Sequence, residues 1–130
     1  MHKCLITRPN HDKVTSYLHS WSKEIIDNKD INEIQFLDLE GYNASSEKVE
    51  SYLRKQNPRI VLFNGHGNNF EICGFKDETL IKADKNEELL KEKIVYALSY
   101  SSAKILGIRA VEKGTEAFIG YNNPFILCSD

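Results

Sequence analysis

Short, dense apolar runs alternate along this chain with longer stretches in which apolar residues recur at helical spacing. Cys4 to Thr7 is the first run, stopped by Arg8-Pro9-Asn10, where proline fixes the backbone and asparagine can accept a hydrogen bond from the first turn of a helix. From His11 to about Asn28, Val14, Tyr17, Leu18, Trp21, Ile25 and Ile26 recur among Lys, Asp and Glu, which predicts a helix with that face on a sheet. Ile34, Phe36, Leu37 and Leu39 predict a second strand, closed by Glu40-Gly41-Tyr42-Asn43. Ser45 then stands as the N-cap of a helix carrying Val49, Tyr52 and Leu53, which Asn57-Pro58 stops.

Ile60 to Phe63 is continuously apolar, as expected of a central parallel strand covered on both faces, and it runs straight into Asn64-Gly65-His66-Gly67. Phe70 to Phe75 and Thr79 to Ile81 predict a small hairpin, and Asn86 to Leu90 one or two helical turns. Ile94-Val-Tyr-Ala-Leu-Ser-Tyr100 is the fourth strand. A helix over Ser102 to Lys113 follows, with Ala103, Leu106, Ala110 and Val111 on one face and Gly114 ending it. Ala117 to Tyr121 is the fifth strand, and Asn122-Asn123-Pro124 breaks it. Phe125 to Leu127 adds a short edge segment or begins something further.

This order of elements, with right-handed crossovers, builds an α/β fold: a three-layer αβα sandwich on a mostly parallel sheet, in flavodoxin-like order. With 130 residues, 41% of them hydrophobic, the expectation is one domain over 1–130, which could equally be cut from a longer chain. A formal net charge of −2 with both signs interspersed gives no footprint for a nucleic-acid backbone. Cys4, Cys73 and Cys128 are odd in number and widely spaced, with no Cys-x-x-Cys or Cys/His cluster of a zinc site, which suits a reducing, cytoplasmic setting. No apolar run has the length of a signal peptide or a membrane span.

Groups that do chemistry in open α/β sheets sit just beyond the carboxyl ends of the strands, so His66 and the residues around position 100 are expected to face one crevice. The tracts Asn64-Gly-His66-Gly67, Tyr96-Ala-Leu-Ser-Tyr100-Ser-Ser-Ala103-Lys-Ile-Leu106-Gly107 and Phe118-Ile-Gly-Tyr121 resemble the core of the caspase-like, gingipain-related cysteine peptidases. In such sequences the nucleophilic Cys is followed by any residue, then Ser-Ala and, a few residues on, Leu-Gly. Ser102-Ala103 and Leu106-Gly107 therefore set the nucleophile position at 100.

The resemblance implies a His/Cys dyad acting on a peptide or protein substrate, with His66 as general base and the N–H groups of Gly67 and residue 100 holding the oxyanion. It implies no metal and no organic cofactor. Gly65 and Gly67 would leave room for substrate against the backbone. Tyr100 stands where the thiol is expected. A phenol titrating near about 10 attacks amides poorly, so the chain as it stands is expected to have little or no peptidase activity. Ser99 or Ser101 would supply the hydroxyl only if the register shifted by one residue, which turns a strand side chain to the opposite face. Pairing through an edge strand, with Ala117 to Tyr121 as the candidate, would give a homodimer.

Two other readings compete. One is a non-catalytic module that keeps the fold and holds a peptide in the crevice. The other is a flavodoxin-like small-ligand domain cradling its ligand on Gly65-His66-Gly67, for which no Gly-x-Gly-x-x-Gly fingerprint speaks. His2, His11 and His19 read as surface residues, Trp21 as core, and Lys82 to Lys93 as a solvated face. Cys4, Cys73 and Cys128 read as packing, whereas Asp77, Glu78 and Asp84 are candidates to line a pocket for a basic side chain.

Overall fold

Within the described residues each apolar run becomes a strand, and most of the periodic stretches become helices. The computed structural model describes residues 2–28, 33–99 and 101–121. The elements are β1 (His2–Arg8), α1 (Lys13–Ile26), β2 (Ile34–Glu40), α2 (Ser46–Lys55), β3 (Ile60–Asn64), β4 (Glu71–Cys73), β5 (Thr79–Lys82), β6 (Ile94–Leu98), α3 (Leu106–Glu112) and β7 (Ala117–Ile119). Five strands pair in the order β2-β1-β3-β6-β7, all in parallel, so this is an α/β fold on a parallel sheet. β4 and β5 form a separate antiparallel hairpin. Tyr100 and the Asn122-to-Leu127 segment lie outside the described residues.

Register brings the functional ends together. Thr7 on β1 sits opposite Phe63 on β3, and Asn64 at the end of β3 sits opposite Leu98 at the end of β6. On one face Leu5, Val61, Phe63, Val95 and Ala97 are buried in a core shared with Val49 and Leu53 of α2 and Leu106 and Ala110 of α3. The hairpin adds Ile72, Leu80 and Ile81 to that core. Ser45 caps α2 as expected, accepting a hydrogen bond from the Lys48 N–H at 3.3 Å. Gly114 follows α3 with φ 107°, the left-handed turn that ends a helix at a residue without Cβ.

The opposite face departs from expectation. α1 packs on β1 and β3, and Leu62, Tyr96 and Leu98 are only half covered. Trp21, expected in the core, is 43% exposed, and Val14 and Tyr17 are exposed with it. Trp21 and Ile25 instead form one wall of an apolar groove of about 220 Å³ whose floor is Ile6, Leu62, Tyr96 and Leu98. A single fourteen-residue helix spans about two strands' width of sheet, so its outer stripe overhangs β6 without closing on it.

Two more expectations are corrected. α3 begins at Leu106, not Ser102, because the amide that would close a turn back onto Ser102 is committed elsewhere: Leu106 N–H donates to the Asn69 carbonyl at 2.9 Å, and Ala103 N–H to the Tyr121 carbonyl at 3.0 Å. Val111, expected on the buried face with Leu106 and Ala110, is exposed, one residue round the helix from Ala110. The segment from Lys82 to Lys93 is not a purely solvated face, since Glu87, Leu90 and Lys93 are buried. Lys93 donates to Asn57 Oδ1 at 2.8 Å and to the Pro58 carbonyl at 3.0 Å, and burial pushes its pKa down.

Arg8 lies within β1 and is fully buried, with each contact satisfied by a neighbouring element. It donates to Ser22 Oγ at 2.9 Å and the His19 carbonyl at 2.8 Å on α1, and to Asp38 Oδ2 at 2.8 Å on β2. Among the described residues no helix is long and apolar enough to cross a membrane.

Candidate functional site

His66 stands just past the end of β3, and its backbone is fixed on both sides. Asn64 ties the strand end to β1, its side-chain amide donating to the Thr7 carbonyl at 3.0 Å. Gly65 N–H donates to the Leu98 carbonyl at 3.2 Å, and the His66 carbonyl accepts from Cys73 N–H at 2.8 Å. Gly65 takes φ 152°, and a Cβ there would press into the Cys73 carbonyl. The chain turns between β6 and the hairpin in a space that only glycine fits.

The side chain of His66 meets a residue from the other end of the domain. Its Nε2 lies 2.6 Å from Oδ2 of Asp12, the N-cap of α1. Asp12, rather than Asn10, caps this helix because it and Thr15 satisfy each other. Thr15 N–H donates to Asp12 Oδ1 at 2.9 Å, and Asp12 N–H donates to the Thr15 hydroxyl at 3.0 Å. Burial works against ionising Asp12, but the hydrogen bonds from the Thr15 N–H, from His66 and from the Thr15 hydroxyl outweigh it, and its carboxyl is held down at about 2. An ionised carboxylate can only accept, so His66 Nε2–H is the donor. In the neutral ring Nδ1 then carries the lone pair.

His11, expected at the surface, is instead a wall of this site, its side chain only 10% exposed. Its ring meets that of His66 edge-on at 5.9 Å between centroids and that of Phe75 at 5.6 Å. His11 Nε2 lies 3.1 Å from Asp77 Oδ1 and 3.8 Å from Asp12 Oδ2, while Nδ1 has no hydrogen-bond partner among the described residues. One donor atom each from His11, Asp12 and His66 falls within 4.8 Å of the others. The signal for this cluster was present in the sequence: His11-Asp12 follows the first strand just as His66 follows the third, and neighbouring parallel strands end side by side.

At the end of β6, Tyr100 lies outside the described residues. Ser99 is fully buried, and its Oγ has no hydrogen-bond partner among the described residues. It packs against Gly67, where a Cβ would collide with that hydroxyl and with the Glu71 carbonyl. The space beside Gly65 and Gly67, expected to admit substrate, is thus filled by the protein's own hairpin and Ser99. Gly67 N–H donates to no group among the described residues. Ser101 is also buried and takes φ 52°, so neither flanking serine presents its hydroxyl to solvent.

The remaining candidates disperse. Asp77 faces His11, the Glu78 carboxylate accepts from the Ser46 N–H, and Asp84 lies 4.0 Å from Arg109, so the three acids do not line one pocket. Burial pushes the Cys4 thiol up to about 12. Burial, with the nearby charges of Glu71 and Asp77, pushes the Cys73 thiol up to about 11. Both are packing residues, inert as nucleophiles at neutral pH. His19 pairs with Glu40 at 2.9 Å, away from this cluster.

Fold and site together define an α/β domain with a parallel five-stranded sheet and a His–Asp pair at the carboxyl ends of its strands. No protein-family model matches the chain, and a search of curated proteins finds no match.

Proposed function

We propose that this chain is a caspase-like domain of the cysteine endopeptidase class, a three-layer α/β sandwich whose general base is His66 and whose nucleophile position is filled by Tyr100. The observation that carries the reading is the placement of His66. It sits one turn beyond β3, held through Nε2 by Asp12, at the end of the strand that pairs with β6, the strand leading to position 100. Nδ1 is then the nitrogen left to take a proton from a nucleophile; Gly67 N–H would act as the oxyanion donor only if the hairpin and Ser99 gave way beside it. A phenol at position 100 does not attack a peptide carbonyl at neutral pH, so the domain as it stands hydrolyses peptides little or not at all.

The test is hydrolysis of a mixed fluorogenic peptide pool by the chain itself, by Tyr100→Cys, and by Tyr100→Cys with His66→Ala. Turnover in the single variant alone supports the dyad. Silence in all three folded proteins removes the peptidase reading.

A second reading, a non-catalytic module that holds a peptide, is favoured by the apolar groove beside α1, where Trp21, Tyr96 and Leu98 offer aromatic and aliphatic surface. Loss of peptide binding in Trp21→Ala, with activity absent throughout, would support it.

A further inference from the structure

We infer that His11, Asp12 and His66 form a binding site for a divalent transition-metal ion of the zinc class, one ion per chain. The three donors come from two separately fixed pieces of backbone. His11 and Asp12 stand at the capped start of α1, and His66 is pinned between β6 and the hairpin. Neither piece needs to move for the donors to converge.

The donor spacing suits such an ion. Zinc bonds to imidazole nitrogen and carboxylate oxygen at about 2.0–2.2 Å, which places tetrahedral ligand atoms about 3.3 Å apart. Here Asp12 Oδ2 lies 2.6 Å from His66 Nε2 and 3.8 Å from His11 Nε2, and all three donors fall within 4.8 Å of one another. Small side-chain rotations equalise these edges. Two imidazoles and one carboxylate favour zinc, cobalt or nickel over calcium or magnesium, which take oxygen ligands.

Charge and protons balance. Asp12 brings one negative charge, and Asp77, 3.1 Å from His11 Nε2, brings a second to the rim. Asp77 is thereby a neighbour that can close the fourth position or leave it to water. The arriving ion displaces two Nε2 protons, the one that His66 donates to Asp12 and the one that His11 donates to Asp77, and each moves to Nδ1 of its own ring or to solvent. This inference concerns binding alone and stands without the proposed peptidase reading; an ion on His66 Nε2 with the proton on Nδ1 withdraws that ring as a base, so the two describe different states of one site.

The experiment is a titration of the purified chain with Co²⁺, followed by its visible absorption, together with calorimetric titration with Zn²⁺. The expected result is saturation at one ion per chain with the weak bands of a nitrogen and oxygen site. His11→Ala and His66→Ala should each weaken the affinity by at least about tenfold, and His19→Ala should leave it unchanged. Asp12→Asn, which keeps the helix cap, should weaken it to a similar extent. Circular dichroism establishes that each variant is folded. Absence of saturable binding, unchanged affinity in the His11, His66 and Asp12 variants, or an intense thiolate-to-cobalt band would each overturn the inference.

Discussion

His66 and Asp12, fifty-four residues apart in the chain, share a hydrogen bond of 2.6 Å across the carboxyl ends of two neighbouring strands. One side chain thus performs two duties, since Asp12 also closes the first turn of α1. Its two oxygens divide the work, Oδ1 taking the Thr15 N–H and Oδ2 taking His66.

This division predicts how activity responds in the Tyr100→Cys background. His66→Ala removes the base and should cost about a hundredfold or more in kcat. Asp12→Asn keeps the cap but loses the charge opposite Nε2, and should lower kcat by less than that with KM little changed. Equal losses in the two variants would mean that Asp12 is as essential as the ring it holds.

The depressed Asp12 carboxyl also sets a pH dependence. Its folded value of about 2 lies below the ordinary value of 3.8. Its contribution to stability is therefore complete above about pH 4 and is lost as the pH falls towards 2. The difference in melting temperature between the chain and Asp12→Asn should be largest near neutrality and shrink in acid. A difference that grew on acidification would contradict the pairing.

Removing the hydroxyl of Ser99 should cost little. Its oxygen is buried without a partner among the described residues, so Ser99→Ala is expected to be neutral or slightly stabilising in a urea melt. Gly67→Ala, by contrast, forces a methyl into the Ser99 hydroxyl and the Glu71 carbonyl and should cost about 1–3 kcal/mol. Because the second obstacle is backbone, adding Ser99→Ala should recover only part of that loss.

Thiol chemistry separates packing cysteines from a working one. Cys4 and Cys73, with thiols raised to about 12 and about 11, should resist iodoacetamide at pH 7.5 until the protein is unfolded. The cysteine of Tyr100→Cys should alkylate much faster than either, and more slowly once His66→Ala is added. Peptide mapping by mass spectrometry reads each site separately.

Asp38→Ala strips the carboxylate from the buried Arg8 guanidinium and should destabilise the domain by about 3 kcal/mol. Arg8→Met with Asp38→Leu should recover most of that, since a well-packed apolar pair can replace a buried ion pair. Failure of the double variant to recover would assign the remaining loss to Ser22 and the His19 carbonyl, which Arg8 also serves.

The sheet was legible because its central strands β1, β3 and β6 are written as dense apolar runs and β2 as a run broken only by Gln35 and Asp38. Leu5, Val61 and Val95 are fully buried where that pattern puts them, and His66 stands where the third run stops. The helices were less legible. Trp21 and Tyr17 share the spacing of Leu18 and Ile25, and periodicity alone does not say where the sheet beneath a helix ends. The start of α3 was equally out of reach, since it depends on hydrogen bonds from Ala103 and Leu106 to distant carbonyls. His11 and Asp12 read as the wet start of a helix because their partners, Asp77 and His66, arrive from elsewhere in the chain. Only the topology brings them together.

Arg8 joins β1 to α1 and β2 through partners 11, 14 and 30 residues away, all within the first part of the chain. Such a clamp keeps α1 from rolling about its own axis, and so fixes the direction in which Asp12 points before the distant strands have paired. Loops of that length close early and cheaply compared with the span from Asp12 to His66. The aim of the Asp12 carboxylate is therefore set by contacts local to the first part of the chain, and His66 meets a partner whose direction does not depend on it.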